Sequence, residues 1–213
     1  EISQVNVDFP VENTFKEFAI YKVKTLDDQL AQSFPNIQSY VGVSKDKKAN
    51  IRITLTNQGF FGMILQGRSA SYINPYTKDA SVYEVFNKID ASRSENLMSC
   101  LFDSEENEIS NTIESSLADV DEGILRDYRL AVATTGEYSQ FHINQAGVSG
   151  GTDQEQKDAV LSAMIVTIDR VNQIYERDFS ITLTLVDGVQ DIIYLDGNTD
   201  PLNNNSTGQL INQ

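Results

Sequence analysis

The sequence predicts an α+β protein in which a β-rich N-terminal region precedes a strand–helix–strand unit. Short segments in which apolar and polar residues alternate, separated by turn residues, dominate residues 1–90. An acidic stretch with few aromatic residues follows, and this composition is typical of an exposed connector. A long helical pattern between strand patterns occupies the rest of the chain. We therefore divide the chain into a β-rich domain at 1–95, an acidic connector at 96–123 and an α/β region at 124–213.

The β-rich domain is expected to contain five strands and one short helix. The expected strands are 15–23, 50–56, 60–65, 71–73 and 81–89. In the second of these, Ile51, Ile53 and Leu55 alternate with polar residues and should share one face of the sheet. The helix is expected at 26–33, with Thr25 as its N-cap.

The α/β region is expected to be built around one long helix. A Gly-rich loop at 147–151 leads to Thr152 and Glu155, which have the spacing of a capping box at a helix start. A wide stripe at helical spacing then predicts that much of this helix is buried. The stripe consists of Leu161, Met164, Ile165, Ile168, Asn172 and Tyr175. The expected strands of this region are 128–134, 180–186 and 191–195.

Composition excludes several classes of partner. The 31 Asp and Glu residues outnumber the 16 Lys and Arg residues, so the formal net charge is −15. Nucleic acids and anionic lipids both require clustered Lys and Arg, so we expect neither as a partner. No apolar run reaches the length of about 18 residues that a membrane span needs, so no membrane insertion is expected. The single cysteine cannot form an internal disulfide.

Three segments of the α/β region are distinctive enough to compare with known proteins. Residues 125–138 read Leu-Arg-Asp-Tyr-Arg-Leu-Ala-Val-Ala-Thr-Thr-Gly-Glu-Tyr, and residues 168–178 read Ile-Asp-Arg-Val-Asn-Gln-Ile-Tyr-Glu-Arg-Asp. Residues 200–205 read Asp-Pro-Leu-Asn-Asn-Asn. These segments resemble the first strand, the first long helix and the lead-in to the next helix of the bacterial reprolysin-like metzincins. Upstream, the hairpin at 51–65 and the Tyr-Ile-Asn-Pro-Tyr sequence at 72–76 resemble the propeptide of that family.

The resemblance implies the precursor, or zymogen, of a secreted zinc metallopeptidase that cleaves proteins or peptides. The family's H-E-x-x-H-x-x-G-x-x-H motif holds zinc through three histidines, and its glutamate polarises the zinc-bound water. The chain has one histidine, so this motif is absent from residues 1–213. We therefore expect a propeptide that inhibits and assists folding, followed by the N-terminal part of a catalytic domain truncated before the zinc helix. The chain itself is expected to contain no catalytic residue, to hold no zinc and to be inactive.

Cys100 is the one residue to which the resemblance gives a role near the metal. Metzincin propeptides often place a cysteine thiolate on the catalytic zinc, where it displaces the attacking water. Cys100 follows the propeptide-like region, which is the neighbourhood expected for such an inhibitory zinc ligand. Its flanking residues lack the Pro and Gly of the switch motif in animal relatives. The alternative is a buried cysteine that acts as a small hydrophobic residue.

For three other features we favour a structural explanation over a functional one. His142 has no second histidine to pair with and is interpreted as a surface or hydrogen-bonded loop residue, not a ligand or general base. The Gly-rich loop at 147–151 lacks the phosphate-binding patterns and is interpreted as a helix lead-in. The acidic residues of 103–122 lack the spacing of a calcium-binding loop. This connector is expected to contain the maturation cut, between Asp119 and Arg126.

Half of a catalytic domain should leave one strand edge without a neighbour, and such edges recruit partners. We therefore expect self-association through an unpaired sheet edge between Ile181 and Leu195. The alternative to a peptidase precursor is a non-enzymatic extracellular binding or adhesion module, in which the β-rich domain presents the recognition surface. A zinc-binding helix encoded after Gln213 would distinguish the two.

Overall fold

A computed structural model describes residues 4–11, 14–91 and 123–202. Cys100 and most of the acidic connector, including the segment at 103–122, lie outside these residues, so the predictions made for them stay predictions. The described residues form an antiparallel β half-barrel followed by a strand–helix–helix–strand region, which confirms the expected α+β fold class. No helix of the described part is long and apolar enough to cross a membrane.

Seven strands of the N-terminal region form one antiparallel sheet in which each strand pairs with its neighbours in sequence. The name half-barrel is used for this sheet together with the segment 24–37, which joins its second and third strands. They are β1 (Val5–Val11), β2 (Thr14–Val23), β3 (Gln38–Ser44), β4 (Ala49–Thr56), β5 (Gly59–Gln66), β6 (Ser69–Pro75) and β7 (Tyr83–Asn87). The five expected strands are confirmed as β2, β4, β5, β6 and β7, with ends shifted by a few residues. The sequence analysis missed β1, an edge strand that contains Pro10.

The sequence analysis also missed β3, which has a glycine at its centre. A Cβ atom at Gly42 would lie 2.8 Å from Cγ2 of Ile51 on the neighbouring strand, so only glycine fits this close approach. Glycine lowers the strand propensity of a sequence window, and this hid the strand from pattern analysis.

The short helix α1 (Asp28–Ser33) follows β2 and confirms the expected helix, but its cap differs. The N-cap is Asp27, whose side chain accepts a hydrogen bond from the backbone N–H of Gln29 at 3.1 Å. The expectation that Thr25 caps this helix is therefore wrong. The Thr25 hydroxyl donates instead to Asp169, 144 residues further along the chain.

The C-terminal region contains a parallel strand pair, β8 (Arg126–Leu130) and β9 (Ile181–Leu185). The chain between them forms α2 (Gly136–Ala146) and α3 (Asp153–Phe179). The expected capping box begins α3, because Glu155 N–H donates to the Thr152 hydroxyl at 3.3 Å and the Glu155 carboxylate accepts from Thr152 N–H at 2.7 Å. Most of the expected stripe of α3 is buried, which confirms the interpretation of this helix.

Two expectations for the C-terminal region are wrong. Residues 136–146, where His142 was expected to lie in a loop, form a helix. Thr135 accepts from Tyr138 N–H at its start, and Gly147, at φ 75°, ends it. The expected strand at 191–195 is replaced by a 3₁₀ helix, Val189–Ile192, after which a single bridge joins Ile193 to Thr134. The first expected strand of this region also ends earlier than predicted, at Leu130.

The largest apolar cluster of the described residues is shared by both regions of the chain. The N-terminal region contributes Leu26, Leu30, Phe34 and Ile37. The C-terminal region contributes Ile143, Val160, Leu161, Met164, Ile165, Ile168, Leu185, Val189 and Ile193. Since apolar burial is the main favourable term in folding, each region stabilises the other. The division of the chain at residues 95 and 124 stays a prediction.

Candidate functional site at the contact between the half-barrel and helix α3

Asp169 is a buried carboxylate in the middle of α3, and its four hydrogen-bond donors all belong to the N-terminal region. Its side chain is 1% exposed. Oδ1 accepts from the Thr25 hydroxyl at 2.8 Å and from Nε of Arg52 at 2.9 Å. Oδ2 accepts from the hydroxyls of Ser39 at 2.6 Å and Thr54 at 2.7 Å. Four donors fill the acceptor capacity of a carboxylate, which is the condition under which a charge can be buried.

Arg52 is the cation that balances this charge, and its side chain is only 2% exposed. Besides Asp169, its guanidinium donates through Nη1 to both carboxylate oxygens of Glu176, at 2.9 and 3.0 Å. Nη2 donates to the Thr25 hydroxyl at 3.1 Å. The planar fork of an arginine allows one side chain to join two carboxylates that lie seven residues, or two turns, apart on the same helix.

The position of Arg52 departs from the strand pattern that the sequence suggests. Ile51 and Ile53 are buried on the expected face of β4, but Leu55 is 37% exposed. On the opposite face, Arg52 and Thr54 are buried beneath α3. The alternation therefore predicts the strand and one of its faces, and it gives no indication that the other face is also covered.

Asn172 closes part of the outer edge of β9. Its side chain is fully buried. Nδ2 donates to the carbonyl oxygen of Leu183 at 2.9 Å, and Oδ1 accepts from Leu183 N–H at 2.8 Å. An asparagine amide carries one donor group and one acceptor group, so it can satisfy both backbone groups that a neighbouring strand would otherwise satisfy. Sequence analysis placed Asn172 in the buried stripe but assigned it no role.

The N-terminal region closes the same edge two residues further along. Leu185 N–H donates to the carbonyl oxygen of Thr25 at 2.8 Å, and Asp27 N–H donates to the carbonyl oxygen of Leu185 at 2.8 Å. The expectation of an unpaired sheet edge at 181–195 is therefore wrong at Leu183 and Leu185, whose backbone groups have partners on that edge. This removes the physical reason for expecting self-association through β9, because these backbone groups already have partners.

Further polar contacts extend the same interface along α3. Nε2 of Gln173 donates to the carbonyl oxygen of Asn50 at 3.1 Å. Arg170 donates to Oδ1 of Asn74 at 2.7 Å and lies over the ring of Tyr72, 5.1 Å from its centroid. The polar contacts of residues 169–176 thus join consecutive turns of α3 to three strands, β3, β4 and β6.

His142 lies in α2 and not in a loop, as was expected. Its ring is partly buried, 4.5 Å from the ring of Tyr138 and 5.0 Å from that of Phe141. Burial lowers the pKa of His142 below the ordinary histidine value, and a hydrogen bond with Gln145 partly offsets this effect. The neutral imidazole is therefore the form that the folded protein favours.

Comparison with known proteins bears on the C-terminal region. Residues 125–213 match the family model described as metallo-peptidase family M12B, reprolysin-like. This region is therefore similar to the reprolysin-like metallopeptidases. The match starts one residue before β8 and includes α2, α3 and β9, but it covers less than half of the chain. No curated protein and no solved structure matches the chain significantly.

The matched residues, called here the reprolysin-like region, include the segments at 125–138, 168–178 and 200–205, which confirms that this part of the chain resembles the reprolysin-like metallopeptidases. The resemblance of residues 51–65 and 72–76 to a propeptide lies outside the matched residues and stays a prediction. Asp169, Asn172 and Glu176 all lie in the segment at 168–178, one of the three that carry the resemblance.

The described residues do not fit the zinc site that this family typically uses. Within 4–11, 14–91 and 123–202, no group of three or more His, Cys, Asp or Glu side chains is arranged to hold a metal. The whole sequence offers one histidine and one cysteine. The structure leaves the predicted role of Cys100 untested, because that residue lies outside the described part.

Proposed function

We propose that this chain is part of the precursor of a secreted zinc-dependent endopeptidase whose substrates are proteins or peptides. The observation that carries the proposal is the match of residues 125–213 to the reprolysin-like metallopeptidases. The zinc-binding helix of the family pattern is proposed to be encoded after Gln213, since two histidines four residues apart do not occur up to that point.

The half-barrel is proposed to be the propeptide of this peptidase. It precedes the reprolysin-like region in the chain, and it supplies Leu26, Leu30, Phe34 and Ile37 to the apolar core of that region. It also supplies the donors that allow Asp169 to be buried. A segment with these contacts would assist the folding of the catalytic domain, as expected of a propeptide.

Expression of the complete reading frame tests the proposal. We expect stoichiometric zinc by elemental analysis, hydrolysis of a protein substrate that a zinc chelator abolishes, and secretion into the medium. The mature enzyme should begin between Asp119 and Arg126, as determined by N-terminal sequencing. Residues 1–213 alone should show no peptidase activity. A reading frame without a paired-histidine helix after Gln213, or tight zinc binding by residues 1–213, would contradict the proposal.

Cys100 is proposed to be the inhibitory zinc ligand of the precursor, since a thiolate on zinc displaces the attacking water. We expect a Cys100→Ser precursor to cleave substrate before maturation, when the unsubstituted precursor does not. The chain has no other cysteine, so no second thiol complicates the comparison. Equal activities of the two precursors would favour the alternative of a cysteine that serves only packing.

A further inference from the structure

The face of α3 that meets the half-barrel carries a carboxylate, Asp169, whose hydrogen-bond donors all lie in the half-barrel. This α3 face consists of Asp169, Arg170, Gln173 and Glu176. All four donors to Asp169 come from residues 25 to 54, so removing the half-barrel would leave its carboxylate without any of them. An uncompensated charge beside an apolar core is among the costliest arrangements in a protein.

Separation would also expose apolar surface on both sides. Leu30 is fully buried and Leu26, Phe34 and Ile37 are nearly so, against residues of α3 such as Leu161. None of these side chains would keep its environment if the two regions parted, so the hydrophobic effect opposes separation.

A backbone contact adds a third reason. The pairing of Thr25 and Asp27 with Leu185 extends the parallel pair β8–β9 by a short segment of the N-terminal region. Loss of this segment would leave the N–H and C=O groups of Leu185, a fully buried residue, without their partners.

From these contacts we propose that the α3 face and the apolar cluster bind the half-barrel tightly enough for it to stay bound after the connector is cut. The partner is the chain's own N-terminal region, held without a covalent link. As a statement about maturation, this rests on the proposed function. Cutting between Asp119 and Arg126 would then not release the half-barrel, and a second event, such as its digestion, would be needed.

The burial of the ion pair between the two regions predicts how their association responds to salt. Exposed ion pairs are screened at high ionic strength, whereas buried pairs are screened much less. Arg52 and Asp169 are 2% and 1% exposed. Salt should therefore leave the two pieces together, and denaturant should separate them.

The test uses residues 1–213 with the recognition sequence of a specific protease inserted between residues 91 and 123. After complete cutting, size-exclusion chromatography is run in low salt and in about 1 M NaCl. We expect the two pieces to elute together under both conditions and to separate only in denaturant. Separate elution of folded pieces directly after cutting would overturn the proposal.

A pair of arginine variants tests whether the buried contact is responsible. Arg52→Met removes the cation that faces Asp169 and Glu176. Arg177→Met is the matched control. Arg177 lies on α3, as Asp169 and Glu176 do, but it pairs with the adjacent Asp178 and its side chain is 44% exposed. We expect the dissociation constant of the cut pieces to rise about 100- to 1,000-fold for Arg52→Met and less than about 5-fold for Arg177→Met. Equal effects of the two variants would contradict the assigned role.

If Arg52→Met fails to fold before cutting, Thr25→Val gives a milder test. It removes one hydroxyl donor to Asp169 and keeps the ion pair, and we expect a rise in the dissociation constant of about 10-fold. An unchanged constant would count against the assignment. None of these measurements needs zinc or peptidase activity. Failure here would leave the zinc and activity tests unaffected, and failure of those tests would leave the binding result standing.

Discussion

At the scale of single residues, Asp169 can be buried only because four hydrogen-bond donors surround its carboxylate. A buried ion pair is not in itself evidence of high stability, because desolvation offsets much of the attraction between the charges. Loss of one partner is costly, however, because the other charge stays buried. The arrangement of four donors around Asp169 therefore matters more for which regions must pack together than for total stability.

Asp169→Ala should destabilise the protein by about 3–5 kcal/mol, because Arg52 would stay buried with only Glu176 as a charged partner. Urea unfolding followed by circular dichroism measures this change. Asp178→Ala is the control, since Asp178 is 40% exposed and pairs with its neighbour Arg177. We expect a much smaller loss for the control, because an exposed ion pair contributes little to stability. Similar losses for both variants would show that the burial of Asp169 carries no special cost.

His142 should make stability fall as the solution is acidified. Burial lowers its pKa below 6.5, so the unfolded chain binds more protons than the folded protein as the pH falls through that value. His142→Gln should flatten the dependence of unfolding free energy on pH between about 7 and 5.5. Because the chain has one histidine, no second imidazole contributes in this range. Burial raises the pKa of Asp158, which acts with the opposite sign. A slope that is unchanged in His142→Gln would contradict the prediction.

At the scale of elements, β9 is held on its outer edge by two different devices. A side chain, Asn172, satisfies Leu183, and a backbone segment from the N-terminal region satisfies Leu185. The first device lies within the reprolysin-like region and the second does not. The outer edge of β9 therefore depends on the half-barrel only in part.

Asn172→Leu should leave both backbone groups of Leu183 without partners while keeping a side chain of similar size. We expect a loss of about 1–3 kcal/mol in unfolding free energy. Hydrogen exchange gives the local readout, because the Leu183 amide should exchange faster while the Leu185 amide, bonded to Thr25, keeps more of its protection. Equal acceleration at both amides would indicate that the edge opens as one unit.

The start of α2 depends on a glycine pressed against another loop. A Cβ atom at Gly136 would overlap the backbone of Asp196 and Gly197, and Gly136 N–H donates to Oδ2 of Asp200 at 2.7 Å. Gly136→Ala should therefore cost about 1–3 kcal/mol or more, as measured by thermal unfolding. Gly150→Ala is the control, because nothing lies within 4 Å of its added Cβ atom. We expect a change within about 0.5 kcal/mol there, and equal losses would refute the overlap argument.

Local signals explain which elements could be predicted from the sequence. The capping box of Thr152 and Glu155 and the alternation of β4 depend on neighbours in sequence, and both were predicted. By contrast, α2 buries only Gly136, Ser139 and Ile143, too few apolar residues for a helical pattern. The pattern in that segment is weak because most of its side chains face solvent.

At the scale of the whole molecule, the candidate site could not be predicted because its partners are far apart in the chain. Asp169 meets Thr25 across 144 residues and Arg52 across 117 residues. An arginine within a strand and an aspartate within a helix are each ordinary surface residues by local criteria. Only the packing of α3 on the half-barrel, through the shared apolar cluster, makes them a buried pair.

The shared core predicts that the two regions unfold together. The sequence contains no tryptophan, so single-tryptophan variants give local reporters. Phe86→Trp reports on β7 of the half-barrel, and Tyr128→Trp, at a side chain that is 51% exposed, reports on β8. Since Leu26, Leu30, Phe34 and Ile37 pack on α3, we expect urea midpoints that coincide and similar slopes for both reporters. Asp169→Ala should then shift both midpoints equally, because the contact that it breaks belongs to both regions. A β8 transition that is unaffected by Asp169→Ala, or that precedes the β7 transition, would mean that the C-terminal region folds and unfolds without the half-barrel.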